Sequence, residues 1–410
     1  MKHLVGPGPQ HEASVGSPGA PFQVVVIGAG QAGLAAARTL VQAGLRPETD
    51  LLVLDAGEGP GGAWRNRWDS LTLGRAHGIA DLPGLPLGPV DPEQPASRVV
   101  ADYYDRYEQE LDLRVRRPAQ VQAVRSGPTP DLLAVHYETQ GTPSAITTRL
   151  VINATGTWSR PYVPYVPGIE TFTGAQLHTV GFRAAEDFAG KRTLVVGGGL
   201  SAVQFLLQLA PVTDTVWATR RPPNFTDRSF DARWGLDVEA AVRERTSAGL
   251  APASVVRTTG IPMLDEYVAG VESGVLVSRG MITRIGRSSV HFPGYARQAP
   301  DGAGGLGPSA SGALALPASW QPFAEPVELD VDVIFWNTGF RAALDHLAPL
   351  RLRERGGGIR MRSEVEVAAD ERVLLVGYGS SASTIGATRA GRVAGRVALR
   401  RLSSTRTQQG

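Results

Sequence analysis

Residues 22–40 read FQVVVIGAGQAGLAAARTL, and this stretch decides the fold. Phe22–Gly28 is a largely apolar, β-branched run, the pattern of a strand buried on both faces of a parallel sheet. It leads into Gly28-Ala29-Gly30-Gln31-Ala32-Gly33, and Leu34–Leu40 reads as a helix. In a strand–GxGxxG–helix unit each glycine has its own role. Gly28 permits the tight turn, Gly30 lets the backbone approach a pyrophosphate, and Gly33 allows close helix–strand packing. Gln31 and Ala32 stand at the helix N-terminus, where unpaired N–H groups and the positive dipole end favour phosphate. The next apolar run, Leu51–Leu54, ends at Asp55, whose carboxylate can accept hydrogen bonds from the ribose hydroxyls of an adenosine.

The pattern recurs. Thr193–Val196 runs into Gly197-Gly198-Gly199-Leu200-Ser201-Ala202, with Val203–Leu209 as the following helix. Gly197, Gly199, Ser201 and Ala202 are the candidate phosphate-facing positions. The matching strand, Thr215–Thr219, ends in Arg220 and Arg221 rather than an acid. An acid there repels a 2′-phosphate, whereas a guanidinium pairs with it through two parallel hydrogen bonds. Opposite ribose chemistry at two sites points to FAD at the first and NADPH at the second.

Composition narrows the alternatives. A chain of 410 residues suggests two or three domains. Hydrophobic residues at 42% and charged residues at 20% are ordinary for a globular protein, and no 18-residue apolar run exists. There is no cysteine, which excludes disulfide scaffolds, thiolate metal sites, iron–sulfur clusters and a redox-active dithiol. Net charge is +2, the basic residues are scattered, and Lys2 and Lys191 are the only lysines, so a nucleic-acid partner is not expected. The histidines lack HxH or HxxxH spacing, and no metal is expected. Residues 1–21 lack the apolar core of a secretory signal and read as a disordered arm; Pro300–Ser319 reads as a flexible loop.

Further motifs carry a resemblance. After Asp55 come Gly61-Gly62-Ala63-Trp64 and then RNRWDSLTL. Val151–Gly156 reads VINATG, Phe172-x-Gly174-xxx-His178-xxx-Phe182 precedes the second glycine turn, Asp332–Phe340 reads DVIFWNTGF, and Leu374–Arg392 forms a last strand–turn–helix. In this order they resemble the class B flavoprotein monooxygenases, the group of flavin-containing, Baeyer–Villiger and YUCCA monooxygenases, and in particular its compact bacterial oxidoreductases. The resemblance covers residues 22–402. It implies that Gly62 and Trp64 lie against the flavin. It places Ala154, Thr155 and Gly156 where the chain leaves the FAD domain, and Gly377 and Gly379 at the flavin's ribityl or pyrimidine edge. It makes His178 a linker residue rather than a catalytic one, and it assigns no catalytic side chain.

The sequence also departs from the group. Leu73–His77 lacks the Asn often found there, Asn337 replaces a small residue, Ser380 stands where an acid is common, and the catalytic Arg of Baeyer–Villiger enzymes has no counterpart we can place.

The expected fold is α/β, with two Rossmann-like dinucleotide-binding domains. FAD domain residues 22–160 and 325–402 flank an inserted NADPH domain, 161–324; 403–410 is a tail. The implied activity is insertion of one atom of O2 into a small organic substrate, by N-, S- or Baeyer–Villiger oxygenation through a C4a-(hydro)peroxyflavin. Two alternatives stay open: a reductase or oxidase passing electrons to a partner, quinone or O2, and a non-enzymatic redox sensor. A thioredoxin-reductase role fails for want of cysteine, and no WxWxIP halogenase pattern occurs. A cytoplasmic location and a homodimer are the remaining expectations.

Overall fold

The computed structural model describes residues 20–76, 79–227, 240, 242–252, 260–294, 314–379 and 384–409. Residues 1–19 of the expected arm, most of the Pro300–Ser319 loop, His77 and Ser380 lie outside the described residues.

The first sheet grows around β1 (Phe22–Ile27), which is followed by α1 (Gln31–Gln42) and β2 (Leu51–Leu54). After α2 (Ala96–Glu110) the chain forms β3 (Gln120–Ser126), β4 (Leu133–Thr139) and β5 (Thr142–Asn153). β1 lies between β2 and β5 in parallel, with Val26 opposite Val53 on one side and Ile152 on the other. β3, β4 and β5 form an antiparallel meander, so this sheet is mixed. The burial patterns differ accordingly. β2 is buried at every residue, whereas β4 alternates between buried and more exposed residues over Leu133–Tyr137, the mark of a strand with one face outside the core.

The second sheet contains β6 (Ala175–His178), β7 (Arg192–Val196) and, after α3 (Leu200–Leu209), β8 (Asp214–Ala218). Beyond it come β9 (Phe225–Thr226), β10 (Ile261–Pro262) and α4 (Asp265–Glu272). β11 (Arg284–Ile285), β12 (Ser289–Phe292) and β13 (Val327–Asp330) make an antiparallel trio. β14 (Val333–Trp336) then inserts between β6 and β7, giving a parallel four-stranded sheet of order β6-β14-β7-β8. β13 and β14 pair only within the second group of strands, and the next strand of the chain, Val373–Leu375, pairs with β5 of the first sheet.

β15 (Val373–Leu375) joins β5 in parallel, and α5 (Thr384–Gln409) packs along α1. That contact is close because α5 presents glycines. A Cβ at Gly391 would lie 2.2 Å from the Ala32 carbonyl oxygen, and one at Gly395 would lie 2.7 Å from Thr39 Cβ. The two helices share one apolar core through Ala35, Ala36 and Leu40 on α1 and Ala390, Ala394 and Ala398 on α5. Both helices following the glycine turns begin earlier than the sequence pattern indicates, at Gln31 and Leu200, since helix capping starts directly at the turn. Among the described residues no helix is long and apolar enough to cross a membrane.

Candidate functional site

Both glycine turns lie at the carboxyl ends of parallel strands, where α/β sheets open into a ligand crevice. At the first, Gly28 has φ +99°, and its Cβ position is 2.6 Å from the Ala154 carbonyl oxygen. A Cβ at Gly33 would sit 1.8 Å from the Gly28 oxygen, so helix and turn touch backbone to backbone. Gly30 differs: its Cβ position meets nothing within 4 Å. That is the vacant face a pyrophosphate needs. Gly30 caps α1 without a side-chain hydrogen bond, and Ala32 is buried behind it. The Gln31 side chain is already engaged, its Nε2 donating to Thr388 Oγ1 at 2.8 Å and to the Ala80 carbonyl at 3.3 Å.

Asp55 follows β2 directly, with both carboxylate oxygens occupied. Oδ2 accepts the Ala29 N–H at 2.7 Å; Oδ1 accepts the Gly57 N–H at 2.9 Å and Arg117 Nε at 3.2 Å. Arg117 in turn donates to both Glu108 oxygens, at 2.6 and 2.7 Å. Burial raises the Glu108 carboxyl while Arg117 opposes that shift.

Other segments converge on this turn. The Cβ position of Gly62, at φ +53°, lies 2.9 Å from Gly30 Cα. Gly156 has φ +62° and open space beside it, and a Cβ at Gly377 would lie 3.9 Å from its Cα. Thr155 Oγ1 donates to the Ala343 carbonyl at 2.7 Å and accepts Asn153 Nδ2 at 3.0 Å. His346 Nε2 completes the chain at 2.6 Å from Asn153 Oδ1, and burial lowers this imidazole to about 4. Gly379 has φ +71°, but its Cβ side faces Thr246 Cγ2 at 3.1 Å, so the helical residues 242–247 cover that position.

At the second turn Gly197 has φ +138°, and its Cβ position is 2.1 Å from the Asn337 carbonyl oxygen. Trp217 Nε1 donates to the Gly197 carbonyl at 2.7 Å. Gly199 caps α3, which then presents Ser201 and the fully buried Ala202. Asn337, the departure from a small residue, ties two segments together, since its Oδ1 accepts Thr179 Oγ1 at 2.9 Å. Arg220 is exposed and Arg221 half-buried, and among the described residues neither guanidinium forms an ion pair. Glycine geometry, helix termini and, at the second turn, arginines with no ion pair among the described residues therefore fit a dinucleotide at each turn.

Between the turns lies an aromatic stack that the sequence alone only half shows. Arg67 lies 4.0 Å over the Trp158 ring, 5.7 Å from Trp64 and 5.8 Å from Trp68. Trp158 stacks on Phe340 at 5.1 Å, and His178 meets Phe340 edge-on at 5.1 Å. His178 Nε2 is 3.1 Å from the Gly339 carbonyl, and burial lowers its pKa. Trp64 thus sits beside the first turn as part of a cage and not as a lone wall. Trp68 packs on Phe182 and Phe205 of the second group. The signal for Arg67 is present in the sequence as a cation between two tryptophans, but Trp158 reaches it only in three dimensions.

The family described as pyridine nucleotide-disulphide oxidoreductase matches residues 25–255. A flavin-containing monooxygenase from Stenotrophomonas maltophilia superposes with a TM-score of 0.70 at 31% identity, covering 93% of this chain and 99% of that one. A Baeyer–Villiger monooxygenase of Streptomyces coelicolor is 26% identical over 84% of this chain and 68% of its own length. A probable indole-3-pyruvate monooxygenase, YUCCA9 of Arabidopsis thaliana, is 31% identical over 45% of this chain, and the match spans 44% of the plant protein. The family and these relatives make FAD and NADPH the cofactors of this chain. On the match over residues 25–255 and the likeness across almost the whole Stenotrophomonas protein, the chain belongs to the pyridine nucleotide-disulphide oxidoreductase family, with flavin-containing monooxygenases among its relatives.

Proposed function

We propose that this protein is an NADPH-dependent flavin monooxygenase that transfers one oxygen atom from O2 to a small organic substrate. The observation that carries this reading is the pair of glycine turns, each with a glycine capping the helix that follows, joined by the Trp64–Trp158–Phe340 cluster. With no cysteine in the chain, reduction of a disulfide by a redox-active dithiol is not available to it.

When bound, FAD and NADPH supply hydride transfer and oxygen activation. The chain's own part is placement. We assign Gly28, Gly30, Gln31, Ala32, Gly33, Asp55, Gly62, Trp64, Ala154, Thr155, Gly156 and Gly379 to the FAD site, Gln31 and Ala32 through their backbone. Gly379 acts by its backbone too, since Thr246 blocks its other side. Gly197, Gly199, Ser201, Ala202, Arg220 and Arg221 are assigned to NADPH. The FAD domain then comprises residues 22–160 and 337–402, with the NADPH domain between them. Trp64, packed on the first core, and the Trp158–Phe340 stack supply the apolar surface that would exclude water from the reacting centre. His346 stays neutral and orients Asn153 and Thr155 behind Gly156.

The test follows NADPH oxidation by the holoenzyme with methyl phenyl sulfide. Sulfoxide formed in step with NADPH consumed supports the reading. Hydrogen peroxide formed in its place, with no sulfoxide, favours the oxidase alternative.

A further inference from the structure

Arg67 is a cation enclosed without a counter-charge. Its Nε is sealed from water and has no hydrogen-bond partner, and among the described residues its guanidinium meets no carboxylate. Burial alone lowers it to about 10. Other enclosed arginines of this chain are paired: Arg117 with Glu108 and Asp55, Arg372 with Asp370. A guanidinium is costly to desolvate unless something answers its charge. Three tryptophan faces recover part of that cost, since a cation over an aromatic ring is attracted to it. They cannot accept its hydrogen bonds.

Its position adds the second argument. The backbone N–H of Arg67 closes a turn on the Trp64 carbonyl at 2.9 Å, two residues beyond Gly62, which abuts Gly30. Its platform Trp158 follows Gly156, the open glycine beside Gly377. The same loop is tied to the second group by Trp68 on Phe205 and by Gln208 Nε2 donating to Ser70 Oγ at 2.7 Å. Arg67 therefore sits on the loop that ties the first glycine turn to the second group of strands, with one face on Trp158 and the outer edge of its fork not sealed as Nε is.

We propose that Arg67 is the anion-binding residue of the substrate pocket and that the substrate carries a carboxylate on a flat apolar body. A planar carboxylate matches the guanidinium edge through two parallel hydrogen bonds. The tryptophan faces suit a flat apolar remainder. A lysine could not stack and fork in this way. This proposal rests on the reading of the cleft as the oxygenation site.

The experiment is equilibrium binding to the oxidised holoenzyme, without NADPH, followed by tryptophan fluorescence and flavin absorbance. The probes are phenylacetate and its neutral isostere phenylacetamide. Phenylacetate binds the unmodified protein at least about tenfold more tightly, equivalent to roughly 1.4 kcal/mol. In Arg67→Gln the preference collapses to near unity; in Arg67→Lys part of it returns. Equal binding of the two probes, no binding of phenylacetate, or a preference that survives in Arg67→Gln overturns the proposal. A purely structural Arg67 would weaken acid and amide alike, so the ratio separates the roles. If Arg67→Gln loses its flavin, the ratio in Arg67→Lys decides, and a ratio equal to that of the unmodified protein counts against a fork-and-stack site. Because binding needs no turnover, acid preference without sulfoxide formation would break only the monooxygenase reading, and sulfoxide formation without acid preference would break only this one.

Discussion

Asp55 Oδ2 accepts the backbone N–H of Ala29 at 2.7 Å, tying the end of β2 to the first glycine turn. The acid expected to meet the ribose thus also fixes the shape of the first glycine turn. Arg117 holds its other oxygen, and Glu108 holds Arg117. Asp55→Asn keeps the shape but loses the charge. Arg117 retains Glu108, so the stability cost is that of weakened charged hydrogen bonds, about 1.5–3 kcal/mol, and not that of an orphaned buried ion. FAD should dissociate more readily as well. Denaturant titration with flavin release as a second readout checks both, and an unchanged flavin affinity would count against the role.

Gly30 and Gly33 predict opposite outcomes from similar substitutions. Gly30→Val fills the vacant face, so flavin retention is lost while the apoprotein keeps its fold and melting temperature. Gly33→Ala places a methyl 1.8 Å from the Gly28 oxygen and should disrupt the fold itself. Flavin content and circular dichroism of the two variants separate the cases. Full flavin in Gly30→Val would remove the first turn from the FAD site.

Gly28 and Gly33 are legible in the sequence because left-handed or crowded backbone positions leave little choice of residue. The same holds for β1 and β7, whose apolar runs announce strands buried on both faces. Other features are not legible. Sequence shows Asp55 as a ribose ligand alone, because Arg117 and Glu108 reach it from distant elements. The place of β14 in the second sheet is hidden because a short buried run does not declare its neighbours; only pairing with β6 and β7 does. The Arg67 cage needs Trp158, which arrives from beyond the end of β5.

Among the described residues Arg220 and Arg221, which follow β8, form no ion pair, and we assign them to a 2′-phosphate. Replacing both with Ala should raise the KM for NADPH by roughly 10- to 150-fold, the loss of a charge-assisted pair. The KM for NADH should change little. Equal damage to both coenzymes would end the assignment.

His346 sets a pH dependence. Its pKa falls from 6.5 to about 4 on burial, so between these values the unfolded chain binds a proton that the folded chain refuses. Stability therefore declines as pH falls from about 6.5 towards 4, by about 3 kcal/mol in all at the linkage rate per unit. Gln at this position can still donate to Asn153 but does not titrate. Melting temperature against pH should be flatter for His346→Gln over that interval, and parallel curves would contradict the assignment.

The α1–α5 contact predicts that Gly391→Ala, which sets a methyl against the Ala32 carbonyl, destabilises the protein by about 1–3 kcal/mol through overpacking. Because Ala32 lies in the first turn of α1, flavin should be lost at lower denaturant than the fold. Coincident transitions would mean that the helix start does not govern the cofactor.

The central claim is oxygen transfer in the cleft between the two glycine turns. Its most direct test is turnover of methyl phenyl sulfide by holoenzyme and NADPH under oxygen-18 gas, with mass spectrometry of the product. The account predicts sulfoxide carrying one heavy oxygen atom, formed in proportion to NADPH consumed. Unlabelled sulfoxide, or labelled hydrogen peroxide equal to the NADPH consumed with no sulfoxide, would contradict it.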